Sequence, residues 1–349
     1  MIYFDVTKSG GALHRSGLTR VSARIREELG PRATAVIWNA GWREAAHGSA
    51  ISFTPTDWLL TPELFSEEER PGFWAFLQAP GCRVAAIFHD AIPLKFPHIT
   101  WPQSVARHPE YMKMLARFDR VFAVSEASRS ELIGFWKWQG GAVRAEVETL
   151  QLGADFLGGK KEEAPRAVEA SDVPLLLSIG IIEPRKNQTL LADVAEVLIR
   201  EGVSFELDLV GRVNPHFGRP IEGRLRQLAS RYPCIRFHTT ADDALVAQLW
   251  GRARASVFPT LTEGCGLPLL ESLGMGVPCL CSDLPVLREN GEGGGCEFVA
   301  PDDRVAWTAA LRRILTDDAY AAQLRSAAAA RVVPTWRQTA ERLHARLAQ

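Results

Sequence analysis

The stretch Phe258-Pro-Thr-Leu-Thr-Glu263-Gly-Cys-Gly-Leu-Pro-Leu-Leu-Glu271 decides the fold of this chain. It continues the apolar run Ala255-Ser-Val-Phe258, which predicts the end of a buried strand, and its Pro and Gly residues predict a loop. Pro268 suits the first turn of a helix, because the N–H group that proline lacks would have no helical partner there. The stretch therefore predicts a strand, a loop and a helix in that order.

Two glycines and two glutamates give this loop its chemical character. Gly264 and Gly266 allow a sharp turn and bring backbone N–H groups close to a ligand, at the positive end of the following helix dipole. Glu263 and Glu271 lie eight residues apart, and each carboxylate can accept hydrogen bonds from two sugar hydroxyls. A capped helix that carries a solvated glutamate is the alternative interpretation.

Length and composition favour two domains of a soluble globular protein. The chain has 349 residues, of which 46% are hydrophobic and 23% are charged. Its 40 basic and 41 acidic side chains leave a formal charge of −1, so no overall field attracts nucleic acid or an acidic membrane. The sequence therefore predicts no nucleic-acid partner, and any anionic ligand must be captured locally.

Cysteine usage and the first residues favour a cytoplasmic protein. The six cysteines include no CxxC pair, which is typical of reduced thiols. The segment Met1–Asp5 lacks the basic and apolar regions of a signal peptide, and no apolar run approaches the length of a membrane span. We therefore expect no targeting signal.

Short apolar strands alternate with helical patterns on both sides of one break in composition, the charged and Gly-bearing segment Gly158–Asp172. The clearest predicted strands are Ile2–Val6, Arg83–Phe88, Arg120–Val124, Leu175–Ile179 and Phe205–Val210. This alternation predicts an α/β protein of two doubly wound, Rossmann-like domains that face each other across a cleft. The predicted domains are residues 1–165 and 166–334.

Two loops of the first predicted domain are candidate ligand sites. The Gly-rich segment Lys8–Gly17 joins the first strand to a helix, and such a loop can cradle a phosphate, admit a substrate or form a plain turn. His89 follows a buried strand, at the sheet edge where open parallel sheets bind ligands. It could hydrogen-bond a substrate hydroxyl or be held by Asp90 as a structural pair.

Arg185 and Lys186 lie just after a predicted strand and just before a predicted helix. Arginine can bind two phosphate oxygens at once and lysine acts as a point charge, so the pair predicts a diphosphate site. A solvated basic pair is the alternative. Taken with the carboxylates of Glu263 and Glu271, however, the two cations describe a pocket for a sugar nucleotide.

Glu263 and Glu271 also match the E-x7-E signature of retaining glycosyltransferases of family 4, which the chain resembles over nearly its whole length. The further motifs that carry this resemblance are Phe88–Pro93, Val124–Leu132, Ser178–Asn187 and Trp336–Ala340. The resemblance is strongest to bacterial mannosyltransferase-like members that build surface polysaccharides. It implies the GT-B fold, a nucleotide-sugar donor held mainly by the C-terminal domain, and a last helix, residues 335–349, that packs back on the N-terminal domain.

The resemblance also implies roles for individual residues. Arg185 and Lys186 would bind the donor diphosphate, Glu271 the ribose hydroxyls, and Glu263 the transferred sugar, which His89 would contact from the N-terminal domain. The other implied donor-site residues are Gly11, Gly17, Gly211, Gly264, Cys265, Gly266 and Leu267.

Two positions depart from the family pattern. Cys265 stands where the family often has Phe, and we expect this difference to alter the choice of sugar. Ile181 stands where some members carry Arg, which leaves fewer cations for the diphosphate.

The expected reaction needs no metal and no cofactor. No Asp-x-Asp motif follows a predicted strand, and the pairs Asp242-Asp243, Asp302-Asp303 and Asp317-Asp318 are typical of loops and helix caps. The charge of the leaving group would then be met by Arg185, Lys186 and helix dipoles. Retention without an evident nucleophile favours front-face attack.

The expected donor is GDP-mannose, followed by UDP-glucose or another UDP-sugar, and the expected acceptor is a hydroxyl of a glycan or of a lipid-linked glycan. A lipid-linked acceptor would bring peripheral contact with the inner face of the membrane. The helix around residues 126–138 is the candidate for that contact, although its aromatic residues are more typical of packing. The aromatic residues expected to shape the acceptor side are Trp42, Trp58, Phe73, Trp74 and Trp101, most of them in a polar insertion from Gly41 to Pro80.

Alternatives to a transferase remain open from the sequence. A nucleotide-sugar 2-epimerase uses the same architecture, but its carboxylate and histidine set is not visible as a motif here. A non-catalytic sugar-nucleotide-binding protein would keep the same fold. A phosphorylase that uses pyridoxal phosphate is the least favoured.

Overall fold

The computed structural model describes residues 1–10, 17–155 and 173–349. The chain divides into two units, Met1–Gly153 with Pro334–Gln349, and Ala154–Val333. The division therefore falls earlier than the predicted boundary at residues 165/166. The reason is that the chain leaves the first unit soon after the buried Leu152, before the charged segment that suggested a linker. That segment, residues 158–172, lies wholly outside the described residues.

The N-terminal unit is built on a sheet of seven strands in its described residues. These strands are β1 (Ile2–Asp5), β2 (Ala33–Trp38), β3 (Trp42–Glu44), β4 (Trp58–Thr61), β5 (Arg83–Phe88), β6 (Arg120–Ala123) and β7 (Glu146–Thr149). Their order in the sheet is β3-β2-β1-β4-β5-β6-β7, and all neighbours are parallel except β2 and β3. The order reverses direction between β1 and β4, so the loops after these two strands lie side by side.

Six α-helices accompany this sheet in the described residues. They are α1 (Gly17–Leu29), α2 (Phe73–Phe76), α3 (Ile92–Lys95), α4 (Pro102–Leu115), α5 (Glu126–Gln139) and the last helix of the chain (Trp336–Leu347). The start of α5 is fixed by Ser125, whose hydroxyl accepts a hydrogen bond from the N–H of Ser128 at 3.0 Å. The last helix begins with a capping box formed by Thr335 and Gln338.

The last helix packs within the N-terminal unit, where it lies against α1. The Thr339 hydroxyl donates to the carbonyl of Gln151 at 2.8 Å, and Arg346 pairs with Glu148 at 2.9 Å. Gly153 lies so close to this helix that a Cβ atom there would be 2.2 Å from the backbone nitrogen of Trp336. Only glycine fits at this approach, so the start of the last helix is fixed against the end of the first chain segment.

The sequence predicted that the segment from Gly41 to Pro80 is a polar insertion. This prediction is wrong, because the segment contributes an interior strand. All four residues of β4 are buried, and β4 lies between β1 and β5. Trp42, Trp58 and Phe73 are at most 5% exposed and belong to the core, so the prediction that they shape an acceptor surface is wrong. A four-residue apolar run is too short to show a period, which is why the sequence did not reveal β4.

The C-terminal unit contains a second, fully parallel sheet. Its strands are β8 (Leu175–Ile179), β9 (Glu206–Val210), β10 (Ile235–His238), β11 (Ala253–Phe258), β12 (Cys279–Ser282) and β13 (Cys296–Val299). Their order is β10-β9-β8-β11-β12-β13. Since the order reverses between β8 and β11, the loops that follow these strands meet at the carboxyl edge of the sheet, where open α/β sheets bind ligands.

Helices cover both faces of this second sheet. They are α6 (Gln188–Arg200), α7 (Arg219–Arg231), α8 (Asp243–Arg252), α9 (Leu267–Gly274), α10 (Pro285–Gly291), α11 (Arg304–Thr316) and α12 (Asp318–Ala329). Leu207 and Leu209 pack on one face with α6, α7 and α11, and Leu175 and Leu177 pack on the other around Trp250. Burial on both faces explains the nearly continuous apolar runs of these strands. The predicted α/β class of two parallel-sheet domains is confirmed.

Candidate functional site

The loops after β8 and β11 are joined by hydrogen bonds to the backbone carbonyl of Arg185. After β8 the chain forms a tight turn, Pro184–Lys186, and after β11 it runs through Thr260 to the start of α9. The N–H of Leu261 donates to the carbonyl of Arg185 at 2.8 Å, and the buried Thr260 hydroxyl lies 3.0 Å from the same carbonyl. These contacts fix Arg185 and its neighbours beside the loop that carries Glu263.

Three of the residues predicted from the sequence converge at this point. The Oε1 atom of Glu263 accepts hydrogen bonds from Arg185 Nη1 at 2.8 Å and from Lys186 Nζ at 2.5 Å. The Thr260 hydroxyl lies 2.8 Å from the same oxygen. Lys186 Nζ also lies 4.7 Å from the centre of the Phe258 ring, where the ring face attracts a cation. The predicted pair of cations and the first predicted carboxylate thus form one cluster.

The cluster is buried, and burial sets its electrostatics. The side chains of Lys186 and Glu263 are 9% and 8% exposed. Burial opposes ionisation of Glu263, but Lys186 and Arg185 outweigh it and hold the pKa of Glu263 below its ordinary value. Burial lowers the pKa of Lys186, and the charge of Glu263 counteracts part of that effect. Glu263 is therefore a carboxylate at neutral pH, with two cations as its partners.

A second carboxylate, Glu183, holds the other edge of the Arg185 guanidinium. Glu183 Oε1 lies 3.0 Å from Arg185 Nε and 2.7 Å from Nη2. The remaining oxygen, Oε2, accepts a hydrogen bond from Asn214 Nδ2 at 2.9 Å. Glu183 lies within the motif Ser178–Asn187 but had no predicted role, and Asn214 was not predicted. The only available signal for Asn214 was its position just after β9, because no motif marks it.

Two predicted glycines are required by close packing of the backbone. A Cβ atom on Gly211 would lie 1.8 Å from the carbonyl oxygen of Gly180, at the ends of β9 and β8. Gly266 has a φ of +78°, and a Cβ there would lie 2.5 Å from Leu287. These contacts explain why both positions carry glycine. Their predicted contact with a ligand stays a prediction.

The start of α9 lies where the sequence predicted a helix. Pro268 occupies its first turn, and Glu271 follows within the helix with 6% of its surface exposed. The carbonyl of Cys265 accepts a hydrogen bond from Asn290 Nδ2 at 2.5 Å, which fixes the backbone that leads into α9. Gly264 and Leu267 are buried beside it. The backbone from Gly264 to Leu267 therefore borders the cluster around Glu263 at the positive end of the helix.

In the N-terminal unit, His89 follows β5 at the carboxyl edge of the sheet. Its Nε2 atom lies 3.1 Å from the carbonyl oxygen of Pro62, so Nε2 must carry the proton and Nδ1 remains an acceptor. Burial lowers the pKa of His89, although Pro62 and Asp90 oppose the shift. The Asp90 carboxylate accepts the N–H of Ile92 at 3.0 Å. His89 is therefore a neutral imidazole whose Nδ1 can accept a hydroxyl hydrogen.

The predicted Gly-rich loop is only partly described. Gly17 begins α1, and nothing lies within 4 Å of the position a Cβ would take there. Gly11 lies outside the described residues. The glycine at position 17 is thus not required by packing against the described residues, and its predicted approach to a ligand stays a prediction.

A buried ion cluster that the sequence did not reveal fixes the chain just before this loop. Arg70 is fully buried, and its Nη1 and Nη2 atoms lie 2.5 Å from Asp5 Oδ2 and from Glu63 Oε2. The Glu63 carboxylate accepts the N–H groups of Lys8 and Ser9 at 2.8–2.9 Å. Burial and the nearby Asp5 raise the pKa of Glu63 despite the charge of Arg70. These residues belong to no motif and lie far apart in the chain, so their association could not be predicted from the sequence.

The acidic pairs that the sequence assigned to caps do cap helices. Asp242 accepts the N–H of Leu245 at 2.8 Å, Asp303 that of Ala306 at 2.9 Å, and Asp317 that of Tyr320 at 2.9 Å. These distances confirm the interpretation as helix caps. Among the residues that the structure describes, no group of three or more His, Cys, Asp or Glu side chains is arranged to hold a metal ion.

The helix predicted as a candidate membrane contact has both buried and exposed aromatic residues. Trp136 is 4% exposed and donates its indole N–H to the carbonyl of Met112 at 2.7 Å, whereas Trp138 is 81% exposed. A groove of about 420 Å³ lies beside Trp136 and is lined partly by Ile133, Trp136 and Val147. No helix in the described ranges is long and apolar enough to cross a bilayer.

Comparison with known proteins identifies the class to which the C-terminal unit belongs. Residues 173–317 match the family model described as glycosyl transferases group 1, and this range includes the whole cluster around Glu263. Residues 173–317 therefore form a glycosyltransferase group 1 domain.

Two proteins of Escherichia coli are similar in sequence. The serotype-specific mannosyltransferase WbdA is 28% identical over 242 residues, which cover 66% of this chain and 29% of that protein. The O-antigen chain mannosyltransferase B is 29% identical over 246 residues, which cover 68% of this chain and 62% of that protein. The match thus spans less than two thirds of the length of either relative.

The fold of the whole chain is shared with a solved glycosyltransferase structure. Sucrose-phosphate synthase from Thermosynechococcus elongatus matches with a TM-score of 0.71 and 18% identity, over 98% of this chain and 96% of that one. The fold is therefore GT-B, the two-domain fold of glycosyltransferases. The predicted fold is confirmed, and the predicted relation to glycosyltransferases is confirmed for the domain of residues 173–317.

Proposed function

We propose that this protein is a retaining glycosyltransferase that moves a hexose from a nucleoside-diphosphate sugar to a hydroxyl of a glycan or of a lipid-linked glycan. The observation that carries the proposal is the convergence of Arg185, Lys186 and Glu263 where the strand order of the second sheet reverses. The names of the two Escherichia coli relatives favour mannose as the sugar. GDP-mannose is therefore the first candidate donor, followed by UDP-glucose or another UDP-sugar.

The donor would lie across the start of α9. Arg185 and Lys186 supply cations for the diphosphate, and the buried Glu271 supplies a carboxylate for the ribose hydroxyls. Glu263 and the backbone from Gly264 to Leu267 would hold the hexose. This assignment uses each charged group of the cluster for the part of the donor that its charge suits.

In the proposed reaction, the acceptor hydroxyl attacks C1 of the hexose on the same face from which the diphosphate departs. The bond between C1 and the phosphate oxygen breaks and leaves its electron pair on the diphosphate, while the acceptor oxygen forms the new bond to C1. The acceptor's proton passes to an oxygen of the departing diphosphate. Arg185 and Lys186 stabilise the charge that develops there, so the proposed reaction requires no metal. The Nδ1 atom of His89 would accept a hydroxyl hydrogen of the sugar.

The acceptor side belongs to the N-terminal unit in this proposal. If the acceptor is linked to a lipid, the exposed Trp138 at the end of α5 is the proposed point of contact with the inner face of the membrane, since Trp favours the membrane–water interface. A vesicle-flotation assay with wild type and Trp138→Ala tests this contact. Equal flotation of both proteins would refute it.

Thermal unfolding in the presence of nucleotides tests donor binding. The melting temperature would be measured with GDP, UDP, GDP-mannose and UDP-glucose, each with and without EDTA. A ligand present at 100 times its Kd stabilises the folded state by about 2.7 kcal/mol. We expect a shift with one nucleotide base that EDTA does not change. No shift with any of the four would refute the proposed site, and a shift abolished by EDTA would refute metal independence.

Product analysis tests the reaction. Incubation with the stabilising donor and candidate glycan acceptors should release the free nucleoside diphosphate and form a glycoside with the anomeric configuration of the donor, as measured by NMR. An epimer of the donor would indicate a nucleotide-sugar epimerase instead. An inverted product would refute front-face transfer.

A further inference from the structure

Among the residues that the structure describes, the four charged side chains that contact one another at the proposed diphosphate site have charges that sum to zero. Arg185 and Lys186 contribute two positive charges, and Glu183 and Glu263 contribute two negative charges through contacts of 2.5–3.0 Å. A site that only had to bind a diphosphate tightly would gain from a surplus of cations. The two carboxylates therefore reduce the attraction between this site and its proposed ligand.

The two carboxylates occupy different positions on the cations. Glu183 holds the Nε and Nη2 edge of Arg185 and is itself anchored by Asn214, so it orients the guanidinium. Glu263 places one oxygen, Oε1, within 2.8 Å of both Arg185 Nη1 and Lys186 Nζ. Glu263 is thus the carboxylate that neutralises both cations at once.

We propose that Glu263 acts as an internal counter-charge that weakens the hold of Arg185 and Lys186 on the nucleoside diphosphate and so promotes its release after transfer. This inference rests on the proposed function, because it concerns the product of that reaction. Before the donor binds, Glu263 pairs with the buried ammonium group of Lys186 and with the Nη1 atom of Arg185. After transfer, its charge repels the diphosphate product and attracts the same two cations.

The arrangement around Glu263 keeps its charge close to the cations. The Thr260 hydroxyl lies 2.8 Å from Oε1, and the backbone bond from Leu261 to Arg185 joins the two loops. The carboxylate therefore remains within reach of Arg185 and Lys186, and its repulsion acts on any diphosphate that binds to them.

Replacing Glu263 with glutamine tests the proposal, since Gln keeps the shape of the side chain and removes its charge. The Kd of the nucleoside diphosphate that binds wild type, GDP or UDP, would be measured by isothermal titration calorimetry. We expect Glu263→Gln to bind it roughly tenfold more tightly, because close charges in a binding site couple strongly. Sugar transfer should fall at the same time. An unchanged or weaker affinity would overturn the proposal.

Two controls identify the origin of the effect. Glu183→Gln removes one negative charge beside Arg185 and leaves the contact between Glu263 and Lys186 intact, so we expect a smaller gain in affinity. In a protein that already carries Lys186→Met, adding Glu263→Gln should change the logarithm of the Kd by less than half as much as it does in wild type. An equal gain with and without Lys186 would contradict the assignment.

The outcomes distinguish this inference from the proposed function. If wild type binds GDP or UDP and Glu263→Gln binds it no more tightly, the counter-charge is refuted and the transferase remains. If neither protein binds either nucleotide, the proposed function fails and the inference fails with it. If Glu263→Gln does not fold, Glu263→Asp keeps the charge but withdraws it from the cations. We then expect a gain of about threefold, and no gain would overturn the proposal.

Discussion

Substitution of Gly211 with alanine should destabilise the C-terminal unit through a single methyl group. The added Cβ would lie 1.8 Å from the carbonyl oxygen of Gly180, and such atoms are essentially never found closer than 3.0 Å, so the ends of β8 and β9 must separate by about 1.2 Å. Overpacking of this kind costs about 1–3 kcal/mol. The hydrogen bond from Gly180 N–H to the carbonyl of Val210, 2.9 Å long, would be strained, and its loss adds about 1 kcal/mol.

We therefore expect Gly211→Ala to lower the free energy of unfolding by about 2–4 kcal/mol, which corresponds to roughly 5–15 °C in melting temperature for a unit of this size. Urea unfolding and calorimetry measure both quantities. The Kd for GDP or UDP should rise as well, since the displaced strand end leads into the turn that carries Arg185 and Lys186.

Gly223→Ala is the matched control in the same unit. Gly223 lies within α7, and nothing lies within 4 Å of the position its Cβ would take. The same methyl group should stabilise the protein there by about 0.5–1 kcal/mol, because alanine favours a helix interior more than glycine does. If Gly211→Ala lowers the free energy of unfolding by less than about 1 kcal/mol relative to wild type, the inference that the two strand ends approach this closely is refuted.

Three further predictions concern charge. Lys186→Ala should lower the rate of sugar transfer at least tenfold while the protein stays folded, since losing one hydrogen-bond donor to developing charge costs about 3–4 kcal/mol. Near-normal initial rates with a labelled nucleotide sugar would contradict the role assigned to Lys186. Arg70→Met should destabilise the N-terminal unit by about 3–5 kcal/mol in urea, because two buried carboxylates lose their partner, whereas the exposed Arg226→Met should change stability by less than about 0.5 kcal/mol. Burial lowers the pKa of His89 and His108, so the unfolded chain takes up protons at a higher pH than the folded protein, and the free energy of unfolding should fall as the pH drops below about 6.5. Urea titrations of wild type and His108→Gln at pH 7.5 and 5.5 measure this fall, which should be smaller for the variant. An equal fall in both proteins would show that His108 does not contribute to it.

The residues of the cluster around Glu263 could be predicted because each follows a strand and belongs to a dense local pattern. Arg185, Lys186 and Glu263 were identified in this way. Their bonds could not be predicted, since only the strand order makes β8 and β11 neighbours. The sequence assigned the cations to phosphate and the carboxylate to sugar, and it did not indicate that they contact one another.

The N-terminal unit was harder to predict because its key contacts join distant, isolated residues. Arg70 gave no signal, since a single arginine in a polar segment is usually solvated, and only the fold brings it to Asp5 and Glu63. Trp58 was assigned to a surface because the strand that contains it is too short to show alternation. Local periodicity thus predicted the repeated strand and helix units. The positions of isolated residues such as Arg70 and Trp58 depend on tertiary contacts, which the sequence does not show.

The return of the last helix to the first unit has a consequence for how the protein is made. Residues 154–333 are one continuous segment, so this unit can fold on the ribosome as soon as it has emerged. The N-terminal unit must wait for residues 334–349, which are translated after residues 154–333, before Thr339 can reach Gln151. Of these two units, the N-terminal one is therefore completed second, and a nascent chain that stalls before residue 334 leaves it without its last helix.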